Sequence, residues 1–181
     1  IAKALNCIGD GSKEDPSFEI CNNCSPCQSI NNGNFLDVIE VDAASRTGVD
    51  GIREIIDSVI YSPNNARYKV YIIDEVHMLS NAAFNALLKT LEEPPQNVKF
   101  IFATTEIKKI PATIISRCQK FDLQRVDLKT LSNHLKNICQ NENISYENDS
   151  ISHISKASEG SVRDALTLLD QAASLCGDDI K

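Results

Sequence analysis

Two adjacent carboxylates, Asp74 and Glu75, follow the apolar run Val70-Tyr71-Ile72-Ile73. A short β-branched run of this kind reads as a buried strand, and the pair stands where that strand would end. In open parallel α/β sheets, ligands bind outside the carboxyl ends of the strands. One carboxylate there can hold Mg²⁺ against nucleotide phosphates, and a second can orient or deprotonate an attacking water. That is the pattern of a Walker B motif and points to nucleoside triphosphate hydrolysis. The same pattern arises where a strand simply emerges into solvent, so the neighbouring residues decide between the two readings.

Cysteines make the second constellation. Seven occur, at Cys7, Cys21, Cys24, Cys27, Cys118, Cys139 and Cys176. The odd count, with no signal peptide in view, argues against a secreted disulfide scaffold. Cys21, Cys24 and Cys27 follow one another at C-x-x-C spacing, close enough for three thiolates to meet on one ion. Cys7, with thirteen residues between it and Cys21, supplies a fourth if that loop folds back. Four thiolates complete tetrahedral Zn²⁺ and leave no open position, so the site would be structural. An iron–sulfur cluster competes, because the same spacing opens a ferredoxin run, although no C-x₃-C-P step follows Cys27. Zinc is the expectation. Cys118, Cys139 and Cys176 sit in apolar patterns and read as core residues.

Composition bounds the elements that must position these groups. The 181 residues, 42% hydrophobic, suffice for one sizeable core and a smaller domain. A net charge of −7 argues against a generally adhesive nucleic-acid binder but not against a local phosphate contact. No transmembrane run is present. No G-x-x-x-x-G-K-[ST] loop occurs either. Ile1 to Leu5 reads as the tail of a helix, so the chain is expected to be an internal piece of a longer protein, with any phosphate loop upstream.

Strands are expected over Phe35–Val41, Val70–Ile73, Lys99–Thr105 and Cys118–Leu123. Helices are expected over 49–60, from a Ser80 cap to about Glu93 before Pro94-Pro95, and over Ile110–Ser116. Alternating strands and helices imply a parallel sheet covered on both faces. Beyond Leu123 the pattern is helical only: Asp127–Cys139 with Leu128, Leu131, Leu135 and Ile138 on one stripe, then Ile151–Ala157. A third helix starts at Ser161, with Asp164 at its N3 position and Gly177 as a stop.

Further residues bear on the site. Thr104 and Thr105 end the strand expected beside the Asp74 strand. A hydroxyl there suits a γ-phosphate or its water, and ordinary strand-end threonines fit the spacing equally. Arg117 in Ser116-Arg117-Cys118 suits an arginine finger or a solvated charge. Arg163 lies in the first turn of a helix, where the dipole disfavours a cation unless a phosphate is near. His77 has no second ligand spaced to match it and reads as structural.

Together, D-A-A-S-R-T-G-V-D (42–50), I-I-D-E-V-H-M-L (72–79), F-N-A-L-L-K-T-L-E-E-P-P (84–95), F-A-T-T (102–105), S-R-C (116–118) and G-S-V-R-D-A-L (160–166) resemble one family. It is the bacterial DNA polymerase III gamma/tau subunit family, AAA+ ATPases of the sliding-clamp loader. The resemblance covers essentially the whole chain, the four-cysteine module included. The Cys7–Cys21 spacing is longer than that family's pattern, and Ile8–Ile20 is expected to be a loop.

The resemblance implies an AAA+ domain over 1–124 with a zinc module at about 7–30, and a small all-α lid over 125–181. It implies that Asp74 helps hold Mg²⁺ and that Glu75 activates water. Thr105 would be sensor 1, Arg117 the finger acting on the adjacent subunit's ATP, and Arg163 sensor 2. Arg46, Arg53 and the helix start at Ser80 resemble positions that face the DNA backbone. Implied partners are the delta and delta-prime subunits, further gamma/tau copies, the sliding clamp and primed DNA, in a cytoplasmic, nucleoid-associated replisome with no membrane. Nucleotidyl transfer belongs to another subunit of the holoenzyme. Without a phosphate loop, this segment by itself is expected to be inactive. The alternatives are a non-hydrolysing delta-prime stator, which shares several of these motifs, and a zinc-stabilised interaction module. The intact Asp74-Glu75 pair and the 42–50 segment favour gamma/tau.

Overall fold

A computed structural model describes residues 1–9, 15–45, 49–176 and 179–180. Contacts divide the chain into two units, Ile1–Lys120 and Phe121–Lys181.

The first unit is built on a three-stranded parallel sheet of order β1 (Val38–Asp42), β2 (Lys69–Asp74), β3 (Val98–Phe102). Strand β2 lies in the middle, and Val70, Tyr71 and Ile73 are fully buried. Its near-continuous apolar sequence follows from having neighbours on both sides. Helix α3 (Val49–Val59) and helix α4 (Asn81–Glu92) pack on each other. Ile52, Ile55 and Val59 from α3 and Phe84 and Leu87 from α4 join Tyr71 and Ile73 in one core. Burial of each such side chain contributes roughly 1.5–3 kcal/mol.

Local chemistry sets the boundaries. Ser80 Oγ accepts the Ala83 N–H at 3.2 Å and starts α4. Pro94 and Pro95 follow its last turn and stop it. Strand β1 begins later than the expected Phe35, because residues 35–37 turn: Val38 N–H donates to Phe35 O at 3.0 Å. That turn drives Asp37 inward to 2% exposure. Its carboxylate accepts the backbone N–H groups of Asn64, Asn65 and Ala66 at 3.0, 3.0 and 3.1 Å. Strand β3 ends at Phe102, so Thr104 and Thr105 lie beyond it. Helix α5 (Ala112–Ile115) falls inside its expected range.

The expected strand Cys118–Leu123 does not form: these residues pair with none of the described strands. An apolar pattern makes a strand only where a ladder accepts its N–H and C=O groups. Cys118 packs against the core of the first unit, but Phe121 and Leu123 are 73% and 95% exposed.

Ahead of the sheet, α1 (Ala2–Asn6) and α2 (Ser25–Asn31) pack together and carry the first four cysteines on and between them. Asn6 is buried, and its amide pairs with the backbone of Tyr68, accepting the N–H at 2.9 Å and donating to the carbonyl at 3.0 Å.

The second unit packs α6 (Leu128–Glu142), α7 (Asn148–Ala157) and α8 (Val162–Cys176) around Leu131, Leu135, Cys139, Ile151, Ala165 and Leu169. Asp127 caps α6 by accepting the Thr130 N–H at 3.0 Å. The unit is helical apart from a two-residue parallel pairing, β4 (Ser145–Tyr146) with β5 (Asp179–Ile180), too short to read from pattern. Of the cysteines expected in cores, Cys139 is buried and Cys118 half-buried, but Cys176 is exposed. Packing on α8 ends at Ala173, so its last turn, with Leu175 and Cys176, faces solvent. Gly177 lies outside the described residues.

Candidate nucleotide and metal sites

Strands β2 and β3 are parallel, so their carboxyl ends open on the same edge of the sheet. Ala103 N–H donates to Ile73 O at 2.9 Å, and Val76 N–H donates to Ala103 O at 3.0 Å. These two bonds carry the pairing past the end of β2 and fix the residues between. Asp74 is exposed at the strand terminus and aligned with Asp42 of β1. Its Oδ1 accepts the Glu75 N–H at 2.9 Å. Glu75 takes a left-handed backbone, φ 47° and ψ 43°. A non-glycine residue in that region carries strain of about 1–3 kcal/mol, which the flanking ladder bonds must hold.

The turn brings the Glu75 side chain to the segment that follows β3. Thr105 Oγ1 donates to Glu75 Oε2 at 3.3 Å. Asp74, Glu75 and Thr105, thirty residues apart in part, thus meet at one edge. His77, which the sequence reads as structural, places its Nδ1 3.2 Å from Glu75 Oε2. Its Nδ1 is also 3.0 Å from Thr104 Oγ1. The signal was available only as its place two residues after the carboxylate. Glu106 follows the threonines. Its hydrogen bond to Lys109 Nζ at 2.7 Å holds its carboxyl below the usual carboxylate range, helped by the neighbouring His77.

The cysteine cluster forms as the spacing suggested. The Sγ atoms of Cys7, Cys21, Cys24 and Cys27 all lie within 4.8 Å of one another, and none is in a disulfide. Cys7 Sγ and Cys21 Sγ are 3.6 Å apart. Four sulfurs at about 2.3 Å from a tetrahedral ion would stand about 3.8 Å from one another, so the donor set fits a metal. Backbone N–H groups serve the sulfurs: Cys21 N–H donates to Cys7 Sγ at 3.4 Å, and Cys24 N–H to Cys21 Sγ at 3.3 Å. Such bonds favour thiolate, and they draw Cys7 and Cys21 below the ordinary thiol value. Burial pushes Cys24 up, but hydrogen bonds from the N–H groups of Cys27 and Ile8 and from the Cys27 and Cys21 side chains together leave it lowered. Burial dominates at Cys27, which is pushed up to about 12.

The family model described as DNA polymerase III, delta subunit, matches residues 1–127, and that described as DNA polymerase III clamp loader subunit, ATPase lid domain, matches residues 130–178. The chain belongs to the DNA polymerase III clamp-loader subunit family. Similar relatives include DNA polymerase III subunit tau of Bacillus subtilis, 53% identical over 180 residues, which are 99% of this chain and 31% of that protein. Subunit tau of Escherichia coli is 49% identical over 95% of this chain and 26% of its own length. The chain therefore spans about a third or less of these two relatives.

Solved structures agree on the architecture. A DNA polymerase III gamma subunit-related protein of Thermotoga maritima is 26% identical, with a TM-score of 0.56 over 78% of this chain and 45% of that one. The RuvB Holliday junction branch migration motor of the same organism, 19% identical with a TM-score of 0.66 over 86% of this chain and 52% of that one, shares the fold. The fold is thus of the AAA+ type, a parallel sheet with helices followed by a helical lid.

The other sequence-derived positions of this clamp-loader family member are scattered over the two units. Arg117 follows α5, and its guanidinium is engaged by Glu92 Oε1 at 2.6 Å and Thr113 O at 2.7 Å. Arg163 is exposed in the first turn of α8, where Ser161 Oγ accepts the Asp164 N–H at 3.3 Å. Arg53 is exposed on α3, and Ser80 is the exposed cap of α4. Arg46 lies outside the described residues.

Proposed function

We propose that the protein carrying this chain is an ATP-hydrolysing motor subunit of the DNA polymerase III clamp loader, which loads the sliding clamp on primed DNA. The observation that carries the reading is the contact of Thr105 with Glu75 beside Asp74, at the carboxyl ends of two parallel strands. A magnesium ion held there by Asp74 would supply charge neutralisation on the phosphates. Glu75 would orient and deprotonate the attacking water, and Thr105 would donate its hydroxyl toward the γ-phosphate or that water.

The remaining assignments follow the family resemblance. Arg117 would stabilise transition-state charge in the adjacent subunit, and Arg163 would act as the second sensor. Arg46, Arg53 and the α4 start at Ser80 would meet the DNA backbone without reading sequence. Cys7, Cys21, Cys24 and Cys27 would hold structural Zn²⁺, since four sulfurs close a tetrahedral shell. Partners would be delta, delta-prime and further gamma/tau copies, with the clamp, in the cytoplasmic replisome. No helix among the described residues is long and apolar enough to cross a membrane. Polymerisation itself would belong to another subunit.

A stator role without hydrolysis is the second reading, favoured by the delta-subunit description of the model matching residues 1–127. Hydrolysis by the full-length protein, assembled with its loader partners, clamp and primed DNA, separates the two. DNA- and clamp-stimulated turnover that collapses in Glu75→Gln supports the motor. Turnover of the complex that is indifferent to Glu75→Gln assigns this chain to the stator.

A further inference from the structure

The hydrolysis just described leaves one ring at the site unused. His77 sits in the 3₁₀ turn Val76–Met78 that follows Glu75, and its side chain is only 7% exposed. Val76 and Leu79 of the same turn join the hydrophobic core, and both ring nitrogens of His77 face polar atoms. Nδ1 is 3.2 Å from Glu75 Oε2 and 3.0 Å from Thr104 Oγ1. On the other edge, Nε2 faces Glu106 Oε1 at 3.5 Å, and that oxygen is 2.7 Å from Lys109 Nζ.

Glu75 Oε2 is thus approached from two sides, by the His77 ring at 3.2 Å and by the Thr105 hydroxyl, which donates to it at 3.3 Å. A glutamate has three rotatable side-chain bonds, and here it leaves a left-handed turn rather than a strand. One long hydroxyl contact is a loose restraint on such an arm. The buried ring is the rigid one, because Thr104 and Glu106 pin both of its edges to the segment after β3.

We propose that His77 is a positioning residue for Glu75: it holds the carboxylate in place and ties it, through Thr104, to the end of β3. The proposal rests on the reading of Glu75 as the group that activates water. A base that touches Thr105 and a ring tied to Thr104 moves with the segment after β3. Displacement of a catalytic group by about 1 Å is enough to lower a rate about a hundredfold.

The test uses the full-length protein in its assembled loader with clamp and primed DNA. His77→Phe keeps the ring volume and removes both nitrogens. His77→Asn puts an amide donor near the Nδ1 position, and His77→Gln puts one near Nε2. Steady-state ATP hydrolysis is read as kcat and KM separately, with thermal melting of each variant. The expected result is a fall in kcat of about tenfold or more in His77→Phe and His77→Gln, with KM within about twofold, and recovery of most of the loss in His77→Asn. A packing role would give the opposite order, with Phe tolerated and Asn worst, and overturns the proposal. So does a rise in KM at unchanged kcat. If His77→Phe does not fold, His77→Gln decides: unchanged kcat there overturns the assignment. Wild-type turnover that equals that of Glu75→Gln would overturn the hydrolysis reading and this one with it. Turnover lost in Glu75→Gln but kept in the His77 variants would overturn only the role of His77.

Discussion

Arg117 Nη2 stands 2.6 Å from Glu92 Oε1, so the guanidinium that follows α5 is fastened to the last residue of α4. The side chains are 33% and 51% exposed, and water screens the pair. Glu92→Ala is therefore expected to change the unfolding free energy by less than about 1 kcal/mol in chemical denaturation. In the assembled loader, Arg117→Ala is expected to lower ATP turnover about 10³-fold while nucleotide binding persists. If Glu92→Ala lowered turnover as far as Arg117→Ala, the ion pair and not the finger would be the working unit.

The buried carboxylate of Asp37 gives a stability test away from any reacting group. Three backbone N–H groups point at it, and Asp37→Ala leaves them without their acceptor. The expected loss is about 2–4 kcal/mol, read by denaturant titration at neutral pH. Unchanged stability would mean that the 64–66 loop finds other acceptors.

Metal binding at the cysteine cluster should be proton-linked. The Cys27 thiol is pushed up to about 12, so at neutral pH it is protonated in the metal-free fold. There it contributes stability that is complete below the ordinary thiol range and is lost as pH rises toward 12. A zinc ligand is a thiolate, so binding must expel this proton, and affinity should rise with pH. Calorimetry of Zn²⁺ binding in buffers of different ionisation enthalpy should show release of about one proton or more per ion. No buffer dependence would contradict the protonation assigned to Cys27.

Gly160 joins α7 to α8 at φ +82°, and a Cβ there would fall 2.7 Å from Val126 O and 2.9 Å from Arg125 Cβ. Neither neighbour is a flexible side-chain end. Gly160→Ala is expected to destabilise the helical unit by about 1–3 kcal/mol. A calorimetric scan of the variant should show its melting transition moved down; an unmoved transition would mean the Val126 backbone yields freely.

Much of this architecture was legible in the sequence, for identifiable reasons. Strand β2, helix α4 and the helices of the second unit declare themselves through apolar spacing and through Ser80, Pro94-Pro95 and Asp127 at their ends. The cysteine cluster follows from spacing alone. Errors came where long-range pairing decides. Cys118–Leu123 has strand-like residues but joins no ladder among the described residues. Phe35 and Leu36 have strand-like residues too, but Asp37 is claimed by a loop almost thirty residues away, which turns the chain before β1. The partners of His77, Thr104 and Glu106, come beside it only once β2 and β3 have paired, so spacing alone does not reveal them. Cys176 has a core-like position on its helix, but none of the described residues buries it.

Asn6 acts as a piece of sheet. Its amide offers Tyr68 one acceptor and one donor, the same two bonds an edge strand would offer, and Arg67 Nη1 adds a third tie to Leu5 O at 3.0 Å. The next residue is Cys7. The sulfur cluster is thereby riveted to the foot of β2, whose head carries Asp74 and Glu75 about 20 Å away. One strand spans the distance like a beam clamped at its base. In protein loaded with Zn²⁺ and then stripped of it, the change should first be felt in that clamp, as faster hydrogen exchange at the Tyr68 amide, before anything at the carboxylate end changes.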